Sequence, residues 1–212
     1  MGASTQIPAQ AANPLLEPSQ LPYGVVPFDR LQPSDYENAV REGIKQHIQE
    51  IDAITSNPEA PTFENTIVAL DRSGNTLTIA QLALSNVEHA TGDTVLMRIT
   101  SELTPELTRH STDIMLNEKL WQRVKEVYNN RASRTDLTPE DQRLIELTYK
   151  SFEESGANLS AEAREKYRKL TAELSNLNIR FAQNVTNGMK DPERRMWLTL
   201  DQLDGMPQSI ID

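Results

Sequence analysis

The sequence predicts an all-α fold of about six mostly antiparallel helices, and three observations carry that expectation. Apolar residues recur at spacings of three and four in stretch after stretch, the period of a helix with one buried face. Helix-start signals punctuate the chain. The plainest is Thr138-Pro139-Glu140-Asp141, an N-cap followed by proline at the first helical position and acids against the positive end of the helix dipole. The composition, 37% hydrophobic and 5% aromatic, suits long helices with narrow apolar stripes.

Residues 1–33 carry Pro8, Pro14, Pro18, Pro22, Pro27 and Pro33, a density that excludes a helix and predicts an extended arm on the domain surface. Its anchors are expected among Leu15, Leu16, Leu21, Tyr23, Val25, Val26 and Phe28. Ser34 with Glu37 reads as a capping box, and Tyr36, Val40, Ile44, Ile48, Ile51 and Ile54 stripe a first helix over about 35–55. Pro58 and Pro61 then stiffen a turn before Thr62, a good N-cap. A second helix is expected from Thr62 to about His89, with Phe63, Ile67, Leu70, Leu77, Ala80, Leu84 and Val87 on its stripe. It would run past Gly74 at a cost of about 1 kcal/mol relative to alanine, allowing a bend or a close crossing there.

After Thr91-Gly92, Asp93 is placed to cap a third helix bearing Leu96, Ile99, Leu103, Leu107, His110 and Ile114, with Pro105 expected to kink it one turn upstream. Asn117 opens a fourth helix through Leu120, Trp121, Val124, Val127 and Tyr128, and Thr138 a fifth that ends at Gly156. Ser160 caps the sixth and longest. There Ala163, Tyr167, Leu170, Leu174, Leu177, Phe181 and Val185 form a heptad-like seam on a rod of roughly 40 Å. A short strand is expected at 196–200. The chain divides on these grounds into an arm, 1–33, a helical domain, 34–190, and the start of a further region, 191–212.

A net charge of -10 argues against a nucleic-acid backbone or an anionic membrane surface as main partner. Without cysteine there is no disulfide framework, no thiolate metal site and no cysteine nucleophile. No apolar run approaches the roughly 20 residues of a membrane-spanning helix. Met1-Gly2-Ala3-Ser4-Thr5-Gln6 lacks the basic and apolar parts of a signal peptide. It resembles the small polar tether after the lipidated cysteine of a bacterial lipoprotein, which implies the periplasm or envelope. A plain disordered terminus, with a cytoplasmic protein behind it, is the other reading.

Candidate chemistry is sparse. The histidines are His47, His89 and His110, none within four residues of another, so none forms a helical zinc pair. Glu88-His89 would meet His110 if the second and third helices pack antiparallel, although helix-boundary histidines account for both. Glu153 and Glu154 are adjacent on a helix and do not face each other, which makes them a solvated face and no acid/base pair. Arg164, Lys166, Arg168 and Lys169 alternate with Glu162, Glu165 and Glu173, a pattern that intrahelical pairing explains without a nucleic-acid ligand. No residue of this chain is assigned a catalytic, cofactor-binding or metal-binding role.

Three segments resemble the thimet-oligopeptidase-like zinc metallopeptidases, the group containing oligopeptidase A and bacterial peptidyl-dipeptidase. They are Val26-Pro27-Phe28-Asp29-Arg30-Leu31 with Pro33 and Tyr36, then Pro61-Thr62-Phe63-Glu64-Asn65-Thr66-Ile67, then Gly156-Ala157-Asn158-Leu159 with Phe181-Ala182-Gln183-Asn184-Val185. Ala182 stands where that group more commonly has serine. Gln202-Leu203-Asp204-Gly205-Met206-Pro207 resembles a further step beyond them. The resemblance implies the N-terminal wall of a channel that admits short peptides, with remaining polypeptide as partner. Zinc and a His-Glu-x-x-His site are then expected beyond residue 212, where Ile210-Ile211-Asp212 reads as the opening of another helix. It implies a fragment inactive alone. A self-contained helical binding or scaffolding domain is the competing reading; the peptidase fragment should expose an apolar face, whereas such a module should bury its stripes.

Overall fold

The computed structural model describes residues 13–194 and 196–211. The tether resemblance of residues 1–6, Pro8 and Asp212 lie outside them. The expected all-α class holds, with no strand among the described residues. The strand expected at 196–200 is replaced by irregular chain and a single 3-10 turn, Leu200–Leu203, in which the Thr199 N–H donates to Gln202 Oε1 at 2.9 Å. With Met196 and Trp197 more than four-fifths exposed, that stretch has no neighbouring strand or buried face to fix it in a sheet. The chain divides into two compact units between Ser175 and Asn176.

The arm is partly as expected. The Asn13 side chain donates to the Asp35 carbonyl at 2.8 Å, Leu15 is buried, and Leu16, Val26 and Leu31 pack on the same cluster. Leu21, Tyr23, Val25 and Phe28 stay exposed, and single 3-10 turns form at Pro22–Gly24 and Phe28–Arg30, because proline fixes φ without forbidding one tight turn.

Helix α1 is Pro33–Ser56. Its cap is Gln32, not Ser34: the Asp35 carboxylate accepts the Gln32 N–H at 2.7 Å, and Pro33 takes the first helical position, where a missing N–H costs nothing. Thr62 caps the next element as expected, accepting from Asn65 N at 3.1 Å while Asn65 Oδ1 accepts from Thr62 N at 2.8 Å. The single helix expected from Thr62 to His89 is instead broken in two. A π-helical stretch, Phe63–Val68, runs into a one-turn α2, Ala69–Arg72, and stops. Gly74 sits in the left-handed region at φ 71°, its N–H donates to Glu50 Oε2 at 2.6 Å, and α3 starts afresh at Asn75–Thr91.

Helix α4, Thr94–Met115, is capped by Asp93 and continues through Pro105, which lies on its exposed side. Helix α5 is Glu118–Asn130, capped by Asn117, and α6 is Pro139–Glu154, capped by Thr138. Past Gly156 the Ala157 N–H returns to the Phe152 carbonyl at 3.0 Å, closing α6. Helix α7, Ala161–Lys190, follows the Ser160 cap, and α8 is the single turn Gln208–Ile211.

The core of the first unit is two clusters sharing α1. Tyr36, Ala39 and Val40 of α1 join Leu77, Ala80 and Leu84 of α3 and Leu96, Ile99 and Leu103 of α4. Ile51 and Ile54, further along α1, join Phe63, Ile67, the buried face of α5 and Ile145 and Phe152 of α6. In the first cluster Gly43 lets α1 and α3 touch backbone to backbone, since a Cβ there would lie 2.7 Å from Leu77 Cα. In the second, Trp121 stacks on Phe152 and Tyr128 on Tyr149.

Candidate functional site

Between the clusters lies a cavity of about 580 Å³. Leu77 of the first cluster and Phe152 of the second both line it, together with Leu107, Ile114 and Met115 of α4 and Thr148 and Ser151 of α6. Its polar wall is built by the α2–α3 corner and two helices. Helix α1 presents His47, α4 presents His110, and the corner supplies Asp71, Ser73 and Gly74.

The rings of His47 and His110 meet edge to face with centroids 4.9 Å apart, and His110 Nε2 lies 3.0 Å from His47 Nδ1. His47 Nε2 lies 3.1 Å from Ser73 Oγ. The direction of this chain of bonds is set at its end. Ser73 donates its hydroxyl proton to the Leu70 carbonyl at 2.7 Å, so its oxygen accepts from His47 Nε2–H. His47 Nδ1 is then the unprotonated nitrogen and accepts from His110 Nε2–H. Burial pushes both imidazoles below the ordinary histidine value, with His47 lowering His110 further while Glu50 and Asp113 pull the other way. Gly74 is required twice over: besides its positive φ, a Cβ there would lie 2.7 Å from His47 Nδ1.

The conditional meeting of Glu88-His89 with His110 does not occur. In a hairpin turning at Gly92, His89 lies beside the first turns of α4, while His110 is 16 residues past Thr94, about 24 Å along the helix. His89 is exposed and bonds within its own helix to Ser85, and Glu88 Oε2 accepts from Thr100 Oγ1 at 2.6 Å. Nothing in the sequence said that His47 faces His110, because a helical stripe says which face is buried and not which helix covers it. Glu153 and Glu154 are exposed as expected. Arg168 pairs along α7 with Glu165 and also reaches Asp113 of α4 at 3.1 Å, whereas Arg164 pairs with Glu118 of α5.

His47 Nδ1 has its lone pair occupied by His110, and among the described residues no group of three histidine, aspartate or glutamate side chains could hold a metal ion.

A second buried polar constellation organises the turn before the cavity. Arg123 of α5 donates Nη1 to the Asn57 and Glu59 carbonyls at 3.0 and 3.2 Å and Nη2 to Asn65 Oδ1 at 3.0 Å. The same Asn65 oxygen caps Thr62 and accepts from Thr66 Oγ1 at 2.9 Å.

No family model matches the chain. Among curated proteins it is 34% identical over 180 residues to dipeptidyl carboxypeptidase of Salmonella typhimurium, an overlap of 85% of this chain and 26% of the relative. It is 35% identical over 173 residues, 82% of the chain and 25% of the relative, to dipeptidyl carboxypeptidase of Escherichia coli. The chain is homologous to the N-terminal region of the dipeptidyl carboxypeptidase and oligopeptidase A family. Oligopeptidase A of Haemophilus influenzae is 28% identical over 200 residues, 94% of the chain and 28% of that protein. The chain thus spans about a quarter of the length of these peptidase relatives. Within this family match the resemblance of the Thr62 corner, the Gly156 turn and α7 is a likeness of framework. The Thr62 segment caps and the Gly156 segment turns, while Phe181 and Val185 of α7 stay exposed.

Proposed function

We propose that the chain is the N-terminal helical part of a zinc-dependent oligopeptidase or peptidyl-dipeptidase, forming one wall of the channel that receives short peptides. The zinc ion and a His-Glu-x-x-His helix belong, in this reading, to polypeptide outside these 212 residues, and the chain by itself is inactive. The similarity to the dipeptidyl carboxypeptidases carries the proposal. Two features of the chain support it. Its three histidines include no pair at helical zinc spacing. The seam of α7 is open: Leu170, Leu174, Leu177, Phe181 and Val185 are 45–71% exposed, as expected of an apolar face that packs against further polypeptide.

The test compares the 212-residue chain with the same chain joined to the remaining three quarters of the Salmonella relative. The chain alone should take up no stoichiometric zinc and release no dipeptide from a blocked tripeptide, while the joined protein should do both. Tight zinc binding by the 212 residues would overturn the assignment. So would a joined protein that folds and binds zinc yet leaves the tripeptide intact.

A further inference from the structure

The cavity between the two clusters is crossed on its polar side by one side-chain link, from α1 through His47 to His110 of α4 and through Ser73 to the α2–α3 corner. We propose that this link is a proton-operated latch, holding α4 to α1 and the Gly74 corner while the dyad carries at most one added proton and releasing α4 when both rings are charged.

The hydrogen-bond directions set the sequence of events. A first proton goes to His110 Nδ1, the one ring nitrogen of that residue not used in the link, and leaves Nε2–H donating to His47. A second proton has to go to His47 Nδ1. That removes the acceptor and sets two N–H groups, each on a cation, against each other across a distance now 3.0 Å. His47 Nε2–H still donates to Ser73 and the Gly74 N–H to Glu50, so the corner stays on α1 while α4 loses its link to both.

The surroundings decide whether the charge is tolerated. Helix α1 brings Glu50 and Asp52, the corner brings Asp71, and α4 brings Glu106, Arg109 and Asp113. Helices α3 and α6 present only uncharged side chains to the cavity, among them Thr78, Gln81, Thr148 and Ser151. Glu50 is engaged by Gly74, Glu106 by Arg41 of α1 and Asp113 by Arg168 of α7. Three of these carboxylates, Glu50, Glu106 and Asp113, are therefore already partnered. Burial outweighs the facing carboxylates for both rings.

The latch is independent of the peptidase reading and is tested on the 212-residue chain. Backbone amide exchange of residues 70–78 and 107–115 is followed from pH 7.5 to 4.5, corrected for the intrinsic pH dependence of exchange, beside nitrogen-15 spectra of the imidazoles. At pH 7.5 both rings should be Nε2–H tautomers and should titrate in two coupled steps. Through the second step, protection of residues 107–115 should fall by about tenfold per pH unit while residues 70–78 and the Trp121–Phe152 cluster stay protected. His110→Gln, whose amide can donate to neutral His47 or accept from charged His47, should abolish the loss, and His89→Gln should not. Protection of residues 107–115 that is flat with pH, independent single-step titrations, or a loss that persists in folded His110→Gln would overturn the proposal. Should His110→Gln fail to fold, the tautomers and titrations of the unaltered chain decide alone.

Discussion

Arg123 is a buried cation whose partners are two carbonyls and an amide oxygen, and its Nε finds no partner among the described residues. Its role is geometric. It fastens α5 to the Pro58–Pro61 turn and, through Asn65, to the first turn of the π-helical stretch. Arg123→Met should lower the unfolding free energy by about 2–3 kcal/mol in urea titration, since it takes the donor from the Asn57 and Glu59 carbonyls and one of three from Asn65 Oδ1. Arg123→Lys should recover little of that, because an ammonium cannot span carbonyl and amide in one plane. The dyad gives a second expectation at this scale. Both histidines have folded pKa values below the unfolded value of about 6.5, so the unfolded chain binds more protons just under that pH. The stability that the neutral dyad contributes is complete above about pH 6.5 and is lost as pH falls through the folded values. Urea midpoints measured from pH 7 to 5 should decline, by less than about 1.4 kcal/mol per pH unit for each histidine, given the partial exposure of His47. His110→Gln should flatten the part of the slope due to that residue.

At the scale of elements, the α1–α3 crossing rests on Gly43. Gly43→Ala improves helix propensity by about 1 kcal/mol, yet places a Cβ 2.7 Å from Leu77 Cα and 2.9 Å from its nitrogen, where only backbone can yield. The forced separation should prevail. The variant should be destabilised by about 1–3 kcal/mol, read as a lowered thermal midpoint. Most elements were legible beforehand for a physical reason: caps and stripes are local, so Asp93, Asn117, Thr138 and Ser160 announce their helices. The break at Gly74 was not, because the stripe stays in phase across it and a single glycine reads equally as a tolerated helical residue. The left-handed turn there is stabilised by Glu50, 24 residues earlier, and no local pattern records such a bond. The same holds for the site. The stripes pointed to buried faces, but the meeting of His47 with His110, 63 positions apart, belongs to tertiary packing.

For the molecule as a whole, α7 combines a docked beginning with an open seam. Arg164 and Arg168 tie its first turns to Glu118 and Asp113, and Ser175 Oγ lies 3.0 Å from Thr108 Oγ1. Beyond these turns Leu177 is 49% and Phe181 71% exposed. Leu177→Glu with Phe181→Glu should leave the urea midpoint of the 212-residue chain within about 0.5 kcal/mol of its parent, because neither side chain leaves a packed core. Sedimentation at high concentration should show less self-association in the variant. A large loss of stability would mean that the seam is covered within the chain itself.

The two clusters that share α1 also impose an order on folding. The first closes with Leu103 and needs nothing after it except the flanking Leu107, whereas the second requires residues from Ile51 to Ala157. As the chain emerges from the ribosome, the amino-terminal half of α1 can settle against α3 and α4 while α5 and α6 are still being made. Its carboxy-terminal half, with Ile51 and Ile54, waits as an exposed template on which the later helices assemble.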